Sequence, residues 1–186
     1  MGRWEPDARG RLTRAALELY AEVGYEQTTV ADLAARAGVT ERTFFRHFAD
    51  KREVLFDGSD RLLGAIVDGV AAAAPDAGPV EAAVAGMLAA APVLEERGDF
   101  ARRRAAVVAA NPSLQERELL KMASMGSTVA EALRDRGVSG PAAGLAAELA
   151  VTVFRTGFER WVLDASRGLA EHLDDVVAEL HTLTAG

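Results

Sequence analysis

Apolar residues recur along the chain at the three- and four-residue spacing of an amphipathic α-helix. In the first part of the chain this spacing predicts a helix from Asp7 to Gly24, followed by two short helices over 29–37 and 40–48. Gly24 and Gly38 stand at helix exits, where the backbone needs a residue that tolerates a positive φ. In the rest of the chain Ala, Leu, Val and Glu recur at helical spacing without a strand pattern. The pattern therefore predicts an all-α fold.

The two short helices are predicted to form one helix-turn-helix unit. Thr29 and Asp32 have the spacing of a capping box, and Thr40 is a second hydroxyl N-cap. Helices only three residues apart must cross steeply, which leaves one face of the second helix outside the crossing. That face carries hydroxyl, guanidinium and aromatic groups, which suit phosphate contact and base readout in a major groove. Its residues are Thr40, Arg42, Thr43, Phe45, Arg46 and His47.

A second capping-box pattern, Asp50 to Glu53, predicts one continuous helix over 50–74. Pro92 is expected to break or kink the helix that follows. We therefore expect a three-helix domain over residues 1–50 and a helical-bundle domain over 51–186, with the helix 50–74 bridging both. The remaining predicted helices span 80–91, 99–110, 111–136, 141–166 and 169–183.

The formal net charge of −7 is unevenly distributed. Residues 1–56 carry nine Lys or Arg and nine Asp or Glu, whereas residues 57–186 carry twelve and nineteen. An acidic body repels polyanions, so the amino-terminal part is the region expected to approach a nucleic acid. Arg3 in the amino-terminal arm could reach a minor groove, although Glu5 and Asp7 beside it favour a solvated arm.

Composition excludes several other classes of site. The chain has no cysteine, which removes disulfides and thiolate chemistry and agrees with a reducing compartment. Charged residues interrupt the apolar runs well short of the ~18 to 20 residues that a membrane span requires. The first residues lack the apolar core of a signal peptide, so a cytoplasmic protein without membrane contact is expected.

Catalytic and metal chemistry are not predicted. The chain offers no nucleophile with a plausible base, so we expect no enzyme and no cofactor. His172, Asp175 and Glu179 share a helical face and could be drawn as a metal site. Solvated charges beside an apolar stripe are the simpler interpretation, so no metal site is predicted.

A specific combination of residues in and around the stretch 28–52 points to a known family. It comprises Gly24-Tyr25, the Thr-Val-x-Asp-Leu-Ala run from Thr29, the Ala-Gly-Val turn, Phe44-Phe45, His47-Phe48 and Lys51. This stretch resembles the helix-turn-helix of TetR-type transcriptional regulators. The resemblance implies a double-stranded DNA operator, with Thr29, Thr40, Arg46, His47 and Lys51 on phosphates and Arg42, Thr43 and Phe45 towards bases. The family usually has tyrosine where Phe45 and Arg46 stand, so Phe45 is expected to stack on a thymine methyl instead of binding a phosphate.

The last two predicted helices carry matching stripes. Residues Leu169, Leu173, Val176, Leu180 and Leu183 are spaced as a heptad, and such a pair of helices could pack on its own core. In TetR-like proteins the last two helices pair with their copies, which implies a homodimer on a palindromic operator with half-sites ~34 to 36 Å apart. The predicted dimer residues are Leu145, Leu149, Thr152, Thr156, Leu169, Leu173, Val176 and Leu180.

Methionine and aromatic residues in the body could wall an apolar cavity. The run from Phe100 through Asn111-Pro112 to Trp161 also resembles the body of the mycofactocin-type branch of the family, which implies an apolar, acyl or aromatic effector. Arg102, Arg103 and Arg104 point in three directions on a helix, so one of them could meet an anionic ligand. The predicted effector residues are Met87, Phe100, Arg104, Met122, Met125, Phe154, Phe158 and Trp161.

These observations predict a homodimeric, ligand-responsive DNA-binding regulator, most simply a repressor that an apolar small molecule releases from its operator. The alternative is an all-helical small-molecule or lipid-binding protein that no longer reads DNA, which the acidic balance would suit. Salt-dependent binding to random duplex separates the two, because a protein without phosphate contacts has no salt slope.

Overall fold

The computed structural model describes residues 7–185, and Arg3 lies outside them. The described residues form α-helices and one 3₁₀ turn, with no strand among them, so the predicted all-α fold is confirmed. The helices are α1 (Ala8–Glu22), α2 (Val30–Arg36), α3 (Glu41–His47), α4 (Ser59–Ala72), α5 (Pro79–Glu95), α6 (Gly98–Ala109), α7 (Pro112–Asp135), α8 (Gly140–Leu163) and α9 (Leu169–Thr184).

The chain divides into two compact units. The first contains the residues up to Gly58 together with Arg103–Arg117, and the second contains Ser59–Arg102 and the residues from Glu118 onward. Both α6 and α7 therefore contribute residues to each unit. The predicted boundary after residue 50 does not include this returning segment, because pairing of distant segments leaves no local signature in the hydrophobic pattern.

The first unit is built around the crossing of α2 and α3. Leu33 and Phe44 are fully buried there, and burying side chains of this size contributes about 1.5 to 3 kcal/mol each. The turn between the helices places Gly38 at φ 66°, and no atom would meet a Cβ added there. Glycine is therefore required by the backbone conformation and not by space. Arg11 of α1 donates to the carbonyl of Ala37 at 3.0 Å, which fixes the turn from the other side.

The predicted continuous helix over 50–74 is wrong. Asp50 caps the amides of Arg52 and Glu53 as expected, but only a 3₁₀ turn, Glu53–Phe56, follows. Gly58 then adopts φ 92°, a left-handed conformation that no right-handed helix can contain. The carboxylate of Asp57 accepts from Arg9 at 2.6 Å and from Thr13 at 3.2 Å. These tertiary bonds hold the chain in the bend, and α4 begins only at Ser59.

In the second unit, small residues allow close crossing of α4 and α5. A Cβ at Gly69 would lie 2.5 Å from the Ala89 methyl, and a Cβ at Gly86 would lie 2.7 Å from Val70 Cγ2. Arg136, just after α7, donates to four carbonyls at the end of α4 at 2.7 to 3.2 Å. It thereby ties the carboxyl end of α4 and the two residues after this helix to the end of α7.

Pro92 does not end α5, which continues to Glu95. The predicted break is wrong, because α5 continues for three residues beyond Pro92 although this proline cannot donate a helical hydrogen bond. Among the residues described, no helix is both long enough and apolar enough to cross a lipid bilayer.

Candidate functional site

Helix α3 presents one buried and one exposed face. Phe44 is fully buried and meets the neighbouring Phe45 ring edge-on, with 5.3 Å between ring centroids. Phe45 itself is 56% exposed, a high value for an aromatic residue. Arg42 and Arg46 are exposed on the same short helix, with His47 half-buried beside them. The predicted recognition residues of α3 thus share one accessible surface with two guanidinium groups.

Both predicted N-caps are present. Thr40 accepts a bond from the amide of Thr43 at 3.2 Å, and the two hydroxyl oxygens lie 3.1 Å apart. The Thr29 hydroxyl accepts from the amide of Asp32 and donates its own proton to that carboxylate at 2.6 Å. A phosphate contact by this hydroxyl would therefore have to displace Asp32.

The capping box also has an electrostatic consequence. The hydroxyl and the amide of Thr29 donate to the carboxylate of Asp32, and these bonds lower the pKa of Asp32 below its ordinary value. The start of α2 is therefore stabilised by the ionised form of this side chain.

Other arginines of the first unit are held by carboxylates. Arg36 contacts Glu22 at 3.0 Å, and Arg52 contacts Asp50 at 2.9 Å. Arg9 lies 2.6 Å from Asp57. These ion pairs offset charge that could otherwise attract a polyanion, whereas Arg42 and Arg46 on the exposed face of α3 have the residue type for base readout and phosphate contact.

Lys51 has partners within the first unit that its sequence context did not indicate. Its ammonium group donates to the carbonyls of Tyr25 at 2.8 Å, Thr28 at 3.1 Å and Glu26 at 3.4 Å. It also lies 4.2 Å from the centroid of the Tyr25 ring. The side chain is thus bound to the loop before α2 and does not extend from the surface as a free cation. A lysine in a sequence gives no sign of such backbone partners.

The predicted effector residues are only partly brought together. In α8, Phe154 and Phe158 stack with ring centroids 6.2 Å apart, and Phe158 lies 5.8 Å from Trp161. The three rings form a continuous row, which their helical spacing had indicated. Met87 and Met125 are buried in the core of the second unit. Phe100 and Met122 are half-buried.

The predicted ligand-facing arginine is Arg104, but Arg104 belongs to the first unit. Its Nε donates to the carbonyl of Leu55 at 2.7 Å, and its guanidinium lies over the Phe56 ring. The arginine next to the aromatic row is Arg102, whose guanidinium lies 4.6 Å from the centroid of Trp161. Its Nε is buried without a hydrogen-bond partner among the described residues. Helical spacing separates the three arginines but cannot say which one meets the indole.

The predicted dimer stripe on α9 is largely buried within its own chain. Leu169 and Leu173 are fully buried and Val176 is 8% exposed, so little of these three side chains is accessible to a partner subunit. Leu145 on α8 is 66% exposed and Thr152 is exposed. Leu149, Thr156 and Leu180 are half-buried. The accessible part of the predicted interface is therefore mainly on α8.

The charged residues beside that stripe form ion pairs. Asp175 lies 2.6 Å from Arg167, which lowers the pKa of the aspartate, and Glu179 lies 2.7 Å from Arg160. His172 is buried, with its Nε2 3.8 Å from Asp164. Asp175 and Glu179 are solvent-accessible, as expected for charges beside the stripe, whereas His172 is buried.

Two family models match the chain. Residues 12–57 match the model for bacterial regulatory proteins of the tetR family. Residues 77–185, more than half of the chain, match the model for the MftR C-terminal domain. The first match covers α1 to the 3₁₀ turn, and the second begins just before α5 and ends in the last described residues.

Individual proteins are similar to the chain over different lengths. The HTH-type transcriptional regulator TcmR of Streptomyces glaucescens is 56% identical over 46 residues, which are 25% of this chain and 20% of TcmR. The chain thus spans about a fifth of that curated relative. A TetR-family regulator from Syntrophomonas wolfei has the same fold, with a TM-score of 0.66 and 17% identity over 97% of this chain and 96% of its own. The repressor FadR of Thermus thermophilus, solved in complex with lauroyl-CoA, has a TM-score of 0.54 and 26% identity over 91% of each chain.

Proposed function

Because the chain belongs to the TetR family of bacterial regulators and carries an MftR-type C-terminal domain, we propose that it is a homodimeric transcriptional repressor that an apolar small molecule releases from its operator. The observation that carries the DNA-binding role is the exposed face of α3. Two arginines and a phenylalanine stand outward on a helix whose opposite face is anchored by a fully buried phenylalanine. A rigid helix of this kind is what major-groove readout requires.

Within that role, some residues of the recognition surface contact bases and others contact phosphates. Arg42 reads a guanine edge through a bidentate guanidinium contact, and Phe45 packs against a thymine methyl. Arg46, Thr40 and His47 bind phosphates, which set the register of the helix without reading sequence. Family membership and the exposure of these side chains support the assignment.

A second copy of the chain completes the operator contact. One seven-residue recognition helix reads too few bases to select a site, so two copies on half-sites ~34 to 36 Å apart supply both affinity and a palindromic preference. Leu145 is the exposed apolar residue on α8 that supports pairing through this helix. The same surface continues over Thr152 and over the accessible edges of Leu149, Thr156 and Leu180.

The proposed effector is an acyl or aromatic molecule. The row formed by Phe154, Phe158 and Trp161 offers apolar contact, and Arg102 adds a cation beside its indole end. Lauroyl-CoA combines an acyl chain with an anionic headgroup, and its complex with the Thermus thermophilus repressor motivates this ligand class. Release follows when the effector favours a conformation with weaker affinity for DNA.

The DNA-binding role is tested by selecting genomic fragments on the purified protein and sequencing those it retains. The retained site is then compared with a random duplex of equal length at two ionic strengths. A repressor gives a palindromic site and affinity that falls steeply with salt for both duplexes, because each phosphate contact releases counterions. Binding without a salt slope would instead favour an all-helical ligand-binding protein that no longer reads DNA.

The effector role is tested by fluorescence of Trp161. The chain has two tryptophans, so Trp4→Phe leaves Trp161 as the single reporter. Titration with lauroyl-CoA, lauric acid and free CoA should change the emission with the two acyl ligands and leave it unchanged with CoA. The same ligands are then added to the operator complex. Quenching without release would contradict the proposed regulation while leaving the binding site intact.

A further inference from the structure

Helix α3 begins with an acidic residue, Glu41, whose side chain is exposed. Its carboxylate has no hydrogen-bond or ion-pair partner among the residues that the structure describes. The other acid of α2 and α3, Asp32, accepts from both the hydroxyl and the amide of Thr29. Of these two acids, Glu41 is therefore the one whose acceptor oxygens remain available to a ligand.

Glu41 lies on the part of α3 that the proposed function directs towards DNA. Residues four apart in a helix are neighbours on one face, so Glu41 lies beside Phe45, and Arg42 follows it directly in the chain. All three side chains are exposed, whereas Phe44 is fully buried. A recognition helix contacts base edges mainly through its amino-terminal residues. The carboxylate therefore shares a surface with the groups proposed to read bases.

A carboxylate has few possible partners on DNA. It accepts hydrogen bonds and donates none, and the phosphates repel it. In the major groove the donors are the exocyclic amines of cytosine and adenine. The adenine amine lies next to N7, an acceptor that repels the second carboxylate oxygen, whereas the cytosine amine has no acceptor beside it in that groove. Cytosine is therefore the base that suits Glu41.

We propose that Glu41 is a specificity-determining residue that accepts a hydrogen bond from the exocyclic amine of one cytosine in each half-site. The inference rests on the proposed DNA-binding function and adds a base to those assigned to Arg42 and Phe45. Its main effect is exclusion, because a guanine or thymine at that position leaves a desolvated carboxylate without a donor. The two guanidinium groups of α3 attract DNA of any sequence, whereas Glu41 penalises the wrong ones.

Selection from a library of randomised duplexes compares wild type with two variants of Glu41. In wild type, one position of each half-site should select cytosine. Glu41→Gln keeps the length of the side chain and offers both a donor and an acceptor, which pair with N7 and N6 of adenine, so that position should change from cytosine to adenine. Glu41→Ala should select no base there, and its affinity for random duplex should rise because the repulsion from phosphates is removed.

Glu116→Gln is the matched control, because it removes the same charge from another exposed side chain of the first unit. It should select the wild-type site at every position, and thermal unfolding checks the fold of each variant. The proposal is overturned if wild type selects no cytosine, or if Glu41→Gln keeps every base preference of wild type. In the latter case Glu41 acts only through its charge at the start of α3.

A modified base tests the same contact in the unaltered protein. In the selected site the cytosine is replaced by a pyrimidinone base that lacks the exocyclic amine. Wild-type affinity, measured by fluorescence anisotropy, should fall about ten-fold or more, as expected for loss of a hydrogen bond to a charged group. Glu41→Ala should bind the two duplexes equally, because it has no acceptor that could distinguish them.

Two outcomes of this comparison oppose the proposal. Unchanged wild-type affinity would show that the amine has no partner on the protein, and an equal loss in both proteins would show that the amine acts through its own base pair. Failure of wild type to enrich any site, or binding without a salt slope, would instead overturn the proposed DNA-binding function. The two failures are therefore distinguishable.

Discussion

Leu173 of α9 packs directly over Gly157 of α8, where a Cβ would lie 2.6 Å from Leu173 Cδ2 and 3.3 Å from its Cα. The backbone of α9 therefore lies so close to α8 that a side chain at 157 would force Leu173 and α9 to shift. This contact is part of the packing that buries the α9 stripe within its own chain.

Gly157→Ala should lower the free energy of unfolding by about 1 to 3 kcal/mol, because the added methyl overpacks the crossing and pushes α9 away. Gly144→Ala in the same helix is the matched control. No atom lies within 4 Å of a Cβ at 144, so this substitution should gain the helix propensity of alanine, up to about 1 kcal/mol. Denaturant titration of both variants measures the difference, and equal stabilities would contradict the crossing described.

Leu145→Glu should convert the proposed dimer to a monomer without unfolding it. The side chain is 66% exposed in one chain, so a carboxylate there is solvated in the monomer but must be desolvated at a subunit interface. Sedimentation equilibrium measures the dissociation constant, and thermal unfolding checks the fold. Val23→Glu changes a 54% exposed apolar residue in the first unit and should leave the association unchanged. A dimer that persists in Leu145→Glu would place the interface elsewhere.

Arg42→Ala should weaken operator binding by about 1 to 3 kcal/mol and relax the preference for one base pair in each half-site, because the proposed bidentate guanine contact is lost. Fluorescence anisotropy with single-base operator variants measures both effects. Arg46→Ala removes the proposed phosphate contact on the same helix, so it should weaken binding to all sequences alike and reduce the salt slope. If the two variants behave identically, the division into base and phosphate contacts is incorrect.

Arg136→Met should destabilise the second unit by about 1.5 to 3 kcal/mol. The substitution keeps an unbranched apolar stem but leaves four carbonyls at the end of α4 without their charged donor. Arg134→Ala is the control, because Arg134 is exposed and lies 4.0 Å from Glu131 at the edge of ion-pair distance. The control should change stability by no more than about 0.5 kcal/mol. Equal losses in thermal unfolding would refute the capping role of Arg136.

The stabilising effect of Asp32 should depend on pH. Hydrogen bonds from Thr29 lower the pKa of Asp32 in the folded protein, so its contribution is fully present above the unfolded pKa of about 3.9. It is lost as pH falls through the lower, folded pKa. The stability difference between wild type and Asp32→Asn should therefore be constant near neutral pH and shrink in acid. Unfolding of both proteins between neutral pH and about pH 2 measures it, and a difference that grows in acid would contradict the capping box.

Local interactions made the helix-turn-helix formed by α2 and α3 predictable from the sequence. A hydroxyl and a carboxylate three residues apart cap a helix through bonds within one turn, so Thr29 and Asp32 define the start of α2 without help from the rest of the chain. Phe44 and Phe45 are neighbours, and helical geometry alone sends one inward and the other outward. The same periodicity indicated the aromatic row from Phe154 to Trp161.

Contacts between distant segments were not predictable in this way. The bend at Gly58 is held by bonds from Asp57 to α1, and the burial of Leu173 follows from a glycine on a different helix. The partners of Lys51 are backbone carbonyls more than twenty residues earlier in the chain. Because every residue carries a backbone carbonyl, the sequence does not indicate which of them the lysine binds. The sequence by itself determined the helices, their caps and the chemistry of the recognition face. Only the tertiary structure decided which charged groups are already bound within the chain, since that depends on distances in space and not along the sequence.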